Sequence, residues 1–151
     1  MRLPQVVVYE NPGSPAQQLE KLTRERDWTI AQLLESLTRE RGWLLREARQ
    51  RPACVHLVRE MPTSVLVVKL ERKLIDEMTL VSNVHAMVPD VPIVVVNDVK
   101  LEAEQKANFT SLAYDLGATC VLFPPWTQSV IEQVVARLME ITIERTRHHH
   151  A

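Results

Sequence analysis

The chain has 151 residues, 46% of them hydrophobic, which suits a single domain with one sizeable core. Its 18 Lys and Arg against 19 Asp and Glu leave a formal net charge of -1, so nothing global favours nucleic acid or an anionic membrane as partner. Only Gly13, Gly42 and Gly117 are glycine, too few and too far apart for a dinucleotide fingerprint or a P-loop, whose backbone must approach phosphates closely.

In chain order, Met1-Arg2-Leu3-Pro4 lacks the long apolar core of a signal peptide, and no apolar run is long enough for a bilayer. A cytoplasmic location without membrane contact is the expectation. Val6-Val7-Val8-Tyr9 reads as a strand buried on both faces. An internal repeat follows: AQQLEKLTRERDW at 16–28 and AQLLESLTRERGW at 31–43 agree at ten of thirteen positions with an offset of fifteen. Each copy is helical in pattern, and the pair is too short for a solenoid. A weaker strand is expected at Trp43-Leu44-Leu45-Arg46-Glu47, and His56 falls in a helical segment.

Val65-Leu66-Val67-Val68 and Ile93-Val94-Val95-Val96 predict two further buried strands, and Thr119-Cys120-Val121-Leu122-Phe123 a fifth. Between them, Leu74, Ile75, Met78, Val81, His85 and Val88 lie near one helical face, as do Ala107, Leu112, Ala113 and Leu116. The last helix carries Val130, Ile131, Val134, Val135 and Leu138. Alternation of strand and helix implies a parallel sheet covered on both faces by right-handed crossovers. The expected unit is one domain over 1–146 with a flexible tail at 147–151. Cys54 and Cys120 stand in apolar contexts without metal-ligand spacing, and the terminal His148-His149-His150 reads as tail, so no metal site or cofactor is expected.

The order of elements resembles the receiver domain of bacterial response regulators, a flavodoxin-like fold with five parallel strands. The resemblance rests on Pro89-Asp90-Val91-Pro92 before IVVV, on Gly117-Ala118 before TCVLFPPW, and on the Gly42-Trp43 turn. It covers nearly the whole chain once one repeat unit is set aside. It implies that the phosphorylation-site positions hold Tyr9, Glu10, Lys69, Asn97 and Pro124, with Val121 at the aromatic switch position. Phosphoryl transfer to a carboxylate needs a nucleophilic oxygen, carboxylates for Mg²⁺ and a cation on the developing charge. Lys69 has no carboxylate oxygen and Pro124 no charge, so the positions are degenerate and no enzyme is expected. The resemblance also places a cis X-Pro bond at Pro124-Pro125.

Glu10 and Lys69 should meet on adjacent strand ends as a fixed ion pair, or stand apart as solvated charges. The duplicated segment can break into two helices near Arg26-Asp27-Trp28 with Asp27 as N-cap, protrude as one long helix, or carry the first strand into a neighbour as a domain-swapped dimer. Trp28, Leu33, Leu37 and Trp126 are the candidate interaction surface. The function expected is a phosphorylation-independent pseudo-receiver that binds protein partners in signalling, itself included as a homodimer. The alternative is a small-ligand sensor whose strand-end crevice is lined by Tyr9, Glu10, Lys69, Asn97 and Asp98.

Overall fold

Five short apolar runs become five parallel strands: β1 (Gln5–Glu10), β2 (Leu44–Ala48), β3 (Ser64–Leu70), β4 (Ile93–Asn97) and β5 (Cys120–Leu122). A computed structural model describes residues 3–10, 29–70, 74–98 and 100–149. The strands order as β2-β1-β3-β4-β5, the flavodoxin-like arrangement, with β1 paired within its own chain to both β2 and β3. β3 is buried at every residue, its apolar run Val65–Val68 lying in a central parallel strand and Lys69 buried with it.

The five described helices are α1 (Ile30–Arg41), α2 (Arg51–Glu60), α3 (Leu74–Met87), α4 (Ala103–Leu116) and α5 (Gln128–His149). The alternation of each strand divides the core in two. Val6, Val8, Val65, Val67, Val94 and Val96 face α1 and α5, and pack with Ile30, Leu34, Ile131 and Met139. Val7, Tyr9, Leu66, Val68 and Val95 face α2, α3 and α4, and pack with Cys54, Val58, Leu80, Val84 and Phe109. Among the described residues no helix is long and apolar enough to cross a membrane.

Helix ends follow local chemistry. Thr29 caps α1 with an extended backbone (φ -69°, ψ 157°), accepting from the Gln32 N–H at 3.2 Å while its own N–H donates to Gln32 Oε1 at 2.9 Å. Gly42 at φ 72° ends α1 and Gly117 at φ 118° ends α4, the left-handed conformation that glycine adopts without strain. Gly117 also lies under His85, and a Cβ there would come within 2.3 Å of the imidazole Cγ.

Four expectations are corrected. The extended backbone of Thr29 rules out one unbroken helix over 14–41, because a helix cannot pass through that conformation. The N-cap is Thr29, not Asp27, since Gln32 completes its capping box. Leu112 is half exposed and Ala107 exposed, because Phe109 and Ala113 carry the buried stripe of α4. α5 runs on to His149, so the tail boundary expected at 147 falls inside a helix.

Candidate functional site

The strand order reverses between β1 and β3, and the crevice outside their carboxyl ends is where open α/β sheets build sites. The parallel register sets Glu10 directly beside Lys69 at that edge. The Nζ of Lys69 donates to Glu10 Oε1 at 2.9 Å, with side chains only 8% and 14% exposed, and lies 3.9 Å from the half-exposed Asp98. The pair is therefore fixed, not two solvated charges. The second oxygen of Glu10 accepts the Ile30 N–H at 3.1 Å, so one carboxylate joins the β3 cation to the first turn of α1. An anion at a helix N-terminus is favoured by the unsatisfied amides there and by the helix dipole.

The rest of the edge is closed. Tyr9 is buried under the α2–α4 face and Asn97 is fully buried. The Trp126 indole N–H donates to the Asn97 carbonyl at 3.2 Å, folding the β5–α5 connection over the end of β4. The Pro124–Pro125 bond is cis, as expected. Tyr9, Glu10, Lys69 and Asn97 thus do not line an open crevice; of the five crevice residues only Asp98 is exposed.

Mg²⁺, which the resemblance would require, does not fit this arrangement. The largely buried Glu10 carboxylate spends both oxygens on Lys69 and Ile30, and the Lys69 ammonium also lies 3.9 Å from Asp98. Hard divalent cations need several free oxygen ligands and no cation among them. Among the described residues no three His, Cys, Asp or Glu gather as a metal cluster. Burial pushes the Cys54 thiol up to about 12 and raises that of Cys120, which removes both from thiolate chemistry near neutral pH.

The expected interaction surface is dispersed. Leu33 and Leu37 are buried against the sheet, 9% and 6% exposed, so neither can serve as a free surface. Trp126 is half-buried and packs on the α1–α5 core. Trp28 lies outside the described residues. The residue missed from sequence is Ile30, whose role rests on its backbone amide; the Thr29–Gln32 capping pair is the signal that would have placed it.

No protein-family model matches this chain, and no curated protein does. Solved structures do. A CheY-like response regulator receiver domain protein from Methanospirillum hungatei JF-1 superposes with a TM-score of 0.65 at 10% identity, covering 95% of this chain and 99% of that one. The signal receiver domain of an HD domain-containing protein from Pseudomonas fluorescens Pf-5 gives 0.66 at 16% identity, over 97% and 94%. A response regulator from Thermotoga maritima gives 0.64 at 12%, over 92% and 99%. At such identities the likeness is one of fold.

Proposed function

We propose that this chain is a receiver-like signalling module that works without phosphorylation, as a non-enzymatic pseudo-receiver binding protein partners in the cytoplasm. The observation that carries this reading is the Lys69–Glu10–Ile30 chain, in which a cation stands at the β3 end and takes the carboxylate of Glu10. A phosphoryl acceptor must offer a free nucleophilic oxygen, and the metal that assists transfer needs open carboxylates. The degenerate positions Tyr9, Glu10, Lys69, Asn97 and Pro124 together hold a static structure in place of a switch. A single domain and self-association through the repeat region belong to the same reading.

The test is incubation of the full chain with Mg²⁺ and a small-molecule acyl phosphate, followed by intact mass and thermal melting. The expected result is no phosphoryl adduct and no shift in Tm. A stoichiometric adduct on a carboxylate, or a Mg²⁺-dependent rise in Tm, would overturn the proposal, because a ligand of the native state must raise its stability.

A further inference from the structure

The packing of α3 against α4 is incomplete, and the reason is side-chain size. Helices that pack closely lie about 8–10 Å apart, with the side chains of each filling the spaces of the other. On α3 the positions that line the contact are Met78, Thr79, Ser82 and Asn83, one face at helical spacing. On α4 they are Phe109, Leu112 and Leu116. Thr79 and Ser82 are too short to meet the leucines across from them, and a groove of about 400 Å³ remains. That volume falls within the range of about 300–1,000 Å³ in which proteins hold small molecules.

The floor of the groove is already built. Met78 and Phe109 are 5% and 7% exposed, and the Phe109 ring is held edge to face by Phe123, with centroids 5.8 Å apart. A ligand finds this apolar wall in place and does not have to order it. Among the described residues no charged side chain lines the groove. An ion placed there would lose water without gaining a partner, so the lining selects an uncharged occupant. The hydroxyls of Thr79 and Ser82 and the carboxamide of Asn83 supply neutral donors and acceptors on the α3 side. They suit one hydroxyl, amide or ester end. The apolar rim is narrow: of the exposed large apolar side chains among the described residues, Leu112 alone lines the groove. A protein partner needs a far broader patch, since stable interfaces bury about 800 Å² on each side.

We infer that the α3–α4 groove is a binding site for an uncharged, largely apolar small molecule, an aromatic ring system or a medium-length alkyl chain. Its single hydrogen-bonding end is taken by Ser82 and Asn83. The groove lies across the sheet from α1 and α5, apart from the strand-end edge that Glu10, Lys69 and Trp126 close. The inference therefore stands whether or not the chain accepts a phosphoryl group.

The probe is N-phenyl-1-naphthylamine, an uncharged aromatic amine whose emission brightens on leaving water, titrated into the full chain. Saturable binding of one probe per chain is expected. Decanol should displace it and decanoate should not, at equal concentration and at about pH 8, where the carboxylate is ionised. Leu112→Ala should weaken the probe by about tenfold, the factor that apolar contact of a leucine side chain supplies. Because Leu112 is half exposed, this truncation tests the site without a risk to folding. Ser82→Phe, which fills the groove, should abolish binding. Val130→Ala, at an exposed apolar position on α5, should leave the affinity as it is. Absence of saturable binding, equal displacement by decanoate, or an affinity that Leu112→Ala and Val130→Ala change alike would overturn the inference.

Discussion

The two faces of the sheet are closed to different degrees. On the α1–α5 face, Ile30, Leu34, Ile131 and Met139 are fully buried, and polar bonds tie the helices across: Gln128 Nε2 donates to the Leu33 carbonyl at 3.0 Å and Arg41 reaches Glu140. On the α2–α4 face, α3 and α4 leave between them a groove of about 400 Å³ lined by Met78, Phe109, Leu112 and Leu116 among others. Leu112 is about half exposed there. The sealed face also carries the site, because Glu10 is held by the first amide of α1. Rigidity at the strand ends is therefore inherited from packing on one side of the sheet, and the other side can vary without disturbing it.

The largest expected effect breaks the sealed face. Leu34→Ala should cost about 3–4 kcal/mol in denaturant unfolding, the range for truncating a fully buried leucine. Lys69→Ala, which strands the nearly buried Glu10 carboxylate, should cost about 2–3 kcal/mol, and Glu10→Gln in the same chain should recover part of it. A loss no larger than that of an ordinary surface change would mean that the pair holds nothing in place. Gly117→Ala combines a positive φ with a clash against both the ring and the Cβ of His85 and should cost about 2 kcal/mol; His85→Ala removes only the ring, so the Cβ clash and the backbone strain should keep most of that loss in the double variant.

A smaller effect belongs to the α2–α4 face and to pH. The folded-state pKa of Cys54 lies above that of the unfolded chain, so the folded state binds more protons at alkaline pH. Its contribution to stability is complete below the ordinary thiol value of 9.0 and is lost as pH rises from there toward about 12. Unfolding midpoints at pH 10 should show a loss of about 1 kcal/mol relative to pH 8, and Cys54→Ala should flatten that slope. Least of all, Leu112→Ala in the open groove should change stability by under about 0.5 kcal/mol; a larger loss would show that this face is as tightly built as its opposite.

Much of the fold is written in local pattern. The runs Val6–Tyr9, Val65–Val68 and Ile93–Val96 announce buried parallel strands, because only such strands lack a polar face. Gly42 and Gly117 mark helix ends for the same kind of local reason, a backbone conformation that other residues resist. The meeting of Glu10 and Lys69 was legible as one of two outcomes, since strand order places their ends together but says nothing of side-chain direction. What no window of sequence can decide is which repeat unit lies on the sheet. The two units share nearly the same propensities and the same stripe, so the choice falls to contacts made far along the chain: Ile30 to Glu10, Leu33 into the core, Arg41 to Glu140. Those contacts exist only after the sheet has brought β1, β3 and α5 together, and they turn Leu33 and Leu37 from an apparent surface into part of the core.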